Sequence, residues 1–180
     1  MKKNILWAIF LCLNTVNLMA QLELKTQPLI TFLPFKSPNV TLEYGFKPRL
    51  GVEIGYQYAG GRSVFNKNSE SRAKAFNISV KRYIKEDAIL SNIYLGGYFG
   101  FFKGNIGQLN DITMYAIGLT SGYKKLFFNN HFVVEPSLNL GKRFSYKNGQ
   151  PLTGKDFDSN QIKFFYYWDI NLRILVGYRF

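Results

Sequence analysis

The C-terminal stretch restricts the fold of this chain more than any other. In residues 162–180 every even position is apolar, from Ile162, Phe164, Tyr166 and Trp168 through Ile170, Leu172, Ile174 and Val176 to Tyr178 and Phe180. The odd positions include Lys163, Asp169, Asn171, Arg173, Gly177 and Arg179. Successive side chains of a strand point to opposite sides, so this period of two gives one apolar face and one largely polar face. A helix would scatter both kinds around its circumference.

The same pattern recurs seven times upstream. Residues 24–33 carry Leu24, Ile30 and Phe32 opposite Lys25, Gln27 and Thr31. Val40, Leu42, Tyr44 and Phe46 alternate with Thr41, Glu43 and Gly45, and Leu50, Val52, Ile54, Tyr56 and Tyr58 with Gly51, Glu53, Gly55 and Gln57. Phe76, Ile78 and Val80 alternate with Asn77, Ser79 and Lys81. Three further runs set Ile93, Leu95, Phe99 and Phe101 against Tyr94 and Tyr98, Tyr115, Ile117, Leu119 and Tyr123 against Gly118 and Gly122, and Phe132, Val134, Leu138, Leu140 and Phe144 against Glu135 and Arg143. Eight strands follow, an even number. Tight turns are expected at 47–49, 85–87 and 129–130, alternating with longer polar loops at 60–71, 103–111 and 147–161. Short turns on one side and long loops on the other suit an all-β, antiparallel, up-and-down barrel, and its membrane-spanning form in particular.

The first twenty residues read separately. Lys2 and Lys3 precede a short apolar run at 5–13, and Ala20 offers a small residue for cleavage. That is the pattern of a secretory signal peptide, leaving residues 21–180 as the barrel, and the run is too short for a bilayer-spanning helix. Cys12 is the only cysteine and lies within that segment, so no disulfide or thiolate metal site is expected in the barrel. With 23 basic and 11 acidic residues the chain carries +12, or +10 once Lys2 and Lys3 are removed. Export argues against nucleic acid as the partner of that charge and in favour of an anionic lipid surface.

Alternation alone does not separate a membrane barrel from a soluble one, which buries its apolar face inward. Four features favour lipid outside. The polar face is rich in glycine, small residues and charges of both signs. Aromatics crowd the ends of the apolar face, with Tyr56, Tyr58, Phe99, Phe101, Phe144, Phe164, Tyr166 and Trp168 at one rim and Tyr44, Phe46, Tyr123, Phe132 and Tyr178 at the other. Several runs reach the 9–11 residues that a tilted strand needs to cross a bilayer core. The chain also stops on an aromatic at the end of its strand.

The tail Leu175-Val176-Gly177-Tyr178-Arg179-Phe180 resembles the C-terminal signal of outer-membrane proteins. The resemblance implies that Tyr178 and Phe180 are read by the barrel-assembly machinery. The overall plan is similar to the OmpX-like and OmpA-transmembrane-type barrels, which implies residence in a Gram-negative outer membrane. Lys25-Thr26 followed by Pro38-Asn39-Val40-Thr41-Leu42-Glu43-Tyr44 resembles the opening of an uncharacterised family of small outer-membrane barrels, with Gln27 standing where that pattern has Asn. That resemblance implies a fold and a location, not an activity.

In this register the inward ionisable residues are Glu23, Lys25, Glu43, Glu53, Lys81, Glu135, Arg143, Asp169, Arg173 and Arg179. Acids and bases balance, as a paired low-dielectric interior requires. They form either a plug that fills a narrow lumen or a polar conduit, and the small bore of eight strands favours the plug. Lys74 and Lys142 face the apolar side near the outer rim, with Arg62, Arg72 and Lys103 nearby. They are candidate contacts for lipopolysaccharide phosphate, the alternative being unspecific snorkelling. Catalysis finds little support. The single histidine, His131, falls at a turn, and the outer rim offers Glu70, Ser71, Asp156 and Asp158 without a histidine among them. No metal-ligand spacing or phosphate-binding glycine pattern occurs. A non-enzymatic barrel without cofactor is therefore expected, acting through its outer loops on an unidentified partner. A narrow channel is the second alternative, and a lipid-modifying enzyme or protease the third.

Overall fold

Nine strands account for nearly all regular structure in the computed structural model, which describes residues 21–28, 38–47, 49–62, 70–84, 92–106, 109–152 and 167–180. They are β1 Gln21–Thr26, β2 Asn39–Lys47, β3 Leu50–Arg62, β4 Glu70–Tyr83, β5 Asn92–Ile106, β6 Leu109–Phe127, β7 Phe132–Lys147, β8 Gln150–Pro151 and β9 Trp168–Arg179. The expected export signal, residues 29–33 of the first run, the turn at 85–87, Asp156, Asp158, Phe164 and Tyr166 lie outside the described residues, as do the side chains of Phe46, Arg62, Glu70 and Ser71.

Every pairing is antiparallel. Strands β1 to β7 pair in sequence, and β9 pairs with both β7 and β1, so eight strands close and β8 hangs on the end of β7. Closure removes the unpaired edges that an open sheet would present.

The stagger of the ring follows from the register. From Leu24 the partners run through Leu42, Ile54, Ile78, Phe99, Ile117 and Lys142 to Trp168. On its other side Leu24 pairs with Tyr178, ten residues along β9 from Trp168. A stagger of ten over eight strands tilts them by about 40° and lets each residue climb about 2.5 Å along the barrel axis. Stepping from one strand to the next shifts the level by about 1.25 residues in that geometry.

The sides of the sheet are reversed relative to a water-soluble protein. Among the described residues, eight hydrophobic residues are buried against seventeen polar or charged ones. Leu172 is 73% exposed and Leu119 63%, whereas Glu23, Glu43, Glu53, Lys81 and Glu135 are fully enclosed. The apolar face expected from alternation is the outer one, and the charged face looks inward.

The ends of the strands depart from expectation on one side. Residues 103–106 and 109–111, expected as loop, are paired strand: β5 runs to Ile106, β6 starts at Leu109, and these two residues pair. Likewise Tyr146 and Lys147 pair with Pro151 and Gln150 across a turn at Asn148 (φ 52°) and Gly149 (φ 79°). Two positive φ values suit the primed turn that joins right-twisted strands. Polar clusters there resemble loop sequence although the strands continue through them. On the opposite side the expected turn at 129–130 is found, with Phe128, Asn129 and Asn130 all at positive φ.

Candidate functional site

Inward positions on all eight barrel strands converge on one buried cluster in the half of the lumen nearest the tight turns. Three glutamates, Glu23, Glu43 and Glu53, are directly opposed across β1, β2 and β3. Like charges so placed repel. Lysines interleave with them. Lys25 donates to Glu43, Glu53 and Glu135 at 2.5, 2.7 and 2.6 Å. Lys81 donates to the same three at 2.9, 2.5 and 2.6 Å. Lys124 reaches Glu23 at 2.7 Å and Glu43 at 2.9 Å. Arg179 donates twice to Glu23, at 2.9 and 2.6 Å, and Arg173 approaches Glu53 at 3.3 Å.

Two buried tyrosines complete the cluster. Tyr83 donates to Glu43, and Tyr94 donates to Glu135 at 2.6 Å. The rings pack 5.4 Å apart, with the Lys81 ammonium 4.6 Å from the Tyr94 ring centre and Lys124 5.1 Å from that of Tyr83. Four carboxylates thus meet five cations, each with hydrogen-bonded counterparts, which is the condition under which buried charge is tolerated. Oxygens of Glu23, Glu43 and Glu135 lie within 4.8 Å of one another. The Lys124 ammonium, within 3.6 Å of all three carboxylates, fills the place a cation would take.

Eight of the ten expected inward charges join this cluster. Arg143 and Asp169 do not. They pair with each other in the opposite half of the lumen, where Tyr98 donates to Asp169 at 2.6 Å. Between the two groups lies an open cup of about 220 Å³, lined by Gln27, Asn39, Gln57, Asn77, Asn139 and Asn171 among others. The lumen is therefore filled with charge on one side and hollow and amide-lined on the other.

Lys124 and Tyr83 are absent from the charges expected inside. Alternation carries Lys81 to Tyr83 and Gly122 to Lys124, but each expected strand stops one inward position short of them. Glycines make room for the aromatic members. A Cβ at Gly122 would lie 2.5 Å from the Tyr94 hydroxyl, and one at Gly141 2.5 Å from that of Tyr98. The Tyr94 ring reaches over Gly122 on the neighbouring strand β6, and the Tyr98 ring reaches past Gly118 on β6 to Gly141 on β7.

On the outside, Lys74 pairs through Lys103 and Thr113 to Tyr146. Correcting for about 1.25 residues of stagger per strand brings Lys142 to nearly the level of Lys74. The two share a height but not a site. Lys74 neighbours Lys103, whereas Lys142 pairs with Trp168 and lies 5.5 Å from the Phe144 ring centre. His131 is exposed at the turn, as expected. Its ring stacks on Tyr178, and its Nδ1 lies 3.1 Å from the Arg179 carbonyl oxygen. Phe180 is exposed and packs edge-on against Tyr178, its backbone N–H bonded to Leu22.

No family model matches this chain, and no curated protein does. Among solved structures, the crystal structure of a major outer membrane protein from Thermus thermophilus is similar over 89% of this chain and 98% of that one, at 13% identity and a TM-score of 0.43. A likeness this loose leaves the reading of the molecule to its own geometry.

Proposed function

We propose that the protein is an integral barrel of a Gram-negative outer membrane, a non-catalytic scaffold whose outer arms meet partners at the cell surface. The observation that carries this reading is the reversed polarity: large apolar side chains cover the exterior while paired charges occupy the centre. Water would not support such a surface, and a bilayer requires it.

One strand frames the membrane. The outward positions of β4 read Arg72, Lys74, Phe76, Ile78, Val80 and Arg82. Lys74 and Arg82 are eight residues apart, about 20 Å along the barrel axis, and snorkelling at each end extends this toward the ~25 Å band of such barrels. The test is migration of unboiled and boiled protein from an outer-membrane fraction. A folded barrel shifts on boiling; an unchanged band, or recovery from the soluble periplasm, would end this reading.

A channel is the second reading, favoured by the open amide-lined cup. The charge cluster below it argues for a closed pore in the resting molecule. Planar-bilayer recording is expected to show no steady unit conductance for the pure protein.

A further inference from the structure

Inside the barrel, the described like charges that face each other directly across strands have counter-charges laid between them, as Lys25, Lys81 and Lys124 are laid among Glu23, Glu43 and Glu53. The exterior holds the opposite case. Lys74 on β4 and Lys103 on β5 are register partners on the outward face, so their Cβ atoms stand about 5 Å apart. Asp111 lies 3.8 Å from Lys103, an exposed and weak pairing, with both side chains more than half open. Two ammonium groups against one carboxylate leave positive charge over among the described side chains at this level.

Position supplies the rest. Lys74 tops the apolar band, and the next outward residues toward the membrane centre on β3, β4 and β5 are Tyr56, Phe76 and Phe101. An ordered ligand here would place an anionic head on the lysines and apolar chains on the aromatic rings beneath. Resting on the membrane reading above, we propose that the Lys74–Lys103 pair binds the phosphate of a phosphorylated glycolipid in the outer leaflet. The phosphate takes the place outside that the glutamates take inside. Lys142, with Trp168 and Phe144 as neighbours, lacks an opposed cation and is not part of this site.

The full barrel is reconstituted into phosphatidylcholine vesicles containing about a tenth of lipid A, with or without prior removal of its phosphates, then extracted in mild detergent. Bound glycolipid is counted by native mass spectrometry. Wild type is expected to retain phosphorylated lipid A several-fold more than the dephosphorylated form. The Lys74→Gln/Lys103→Gln variant is expected to lose that preference, and Lys142→Gln to keep it. Equal retention by wild type and the double variant, or retention indifferent to phosphate, overturns the site. The same samples are run boiled and unboiled. A heat-modifiable band without phosphate preference removes only this site, whereas failure to insert into either vesicle removes the membrane reading itself.

Discussion

Lys124 ties together three glutamates from three strands, and all four side chains are closed to solvent. Lys124→Gln should cost about 3–5 kcal/mol, because a buried cation shared by Glu23, Glu43 and Glu135 is lost in a low-dielectric space and, among the described residues, Arg179 is left as the only cation hydrogen-bonded to Glu23. Arg143→Gln, at the partly open Arg143–Asp169 pair, should cost about 1 kcal/mol or less. Urea unfolding in vesicles, followed by tryptophan fluorescence, measures both; equal losses would show that the cluster is not specially buried. Tyr94 offers a finer probe. Tyr94→Phe removes the donor to Glu135 and should cost about 1–3 kcal/mol. Gly122→Ala intrudes on that hydroxyl, on the ring carbon that bears it and on the Pro136 carbonyl oxygen, so Tyr94→Phe should relieve only part of its cost in a double-mutant cycle. Simple additivity would mean that the ring does not depend on that gap.

Individual strands carry two messages, one on each face, and these are not equally legible in the sequence. The outward message is legible almost completely, since Leu42, Ile54, Val80, Leu95, Leu119 and Ile174 all stand exposed as alternation predicts. The inward message is legible for charge but not for grouping. Arg143 and Asp169 adjoin Phe144 and Trp168, which alternation puts at the outer rim, but that they pair with each other there depends on the stagger between β7 and β9. Strand ends are hardest. Backbone pairing continues to Ile106 and Leu109, past a register shift after Gly104 and through a stretch rich in Gly and Asn that does not alternate. The outward face also gives a sharp test. Leu119→Arg, near the middle of the apolar band, should cost about 2–4 kcal/mol in a bilayer, and Thr113→Arg, above it, about 0–1 kcal/mol. In water a residue already 63% exposed should tolerate arginine with little loss, so a negligible cost at Leu119 would count against lipid contact.

For the molecule as a whole, the cluster draws on every barrel strand: Glu23 and Lys25 from β1, Glu43 from β2, Glu53 from β3, Lys81 and Tyr83 from β4, Tyr94 from β5, Lys124 from β6, Glu135 from β7, and Arg173 and Arg179 from β9. Partners as distant in sequence as Glu23 and Arg179, 156 residues apart, come within hydrogen-bond reach. Deleting residues 21–26 should therefore abolish the heat-shifted band completely rather than weaken it; a partly shifted population would mean that seven strands can close alone. If the barrel spans a bilayer, as proposed above, a half-built ribbon brings carboxylates and ammonium groups to hydrocarbon before their mates have arrived, at a cost for each. The last contact to form relieves the whole set together. On the membrane reading proposed above, the knot of charge would favour insertion of a chain whose first and final strands have met.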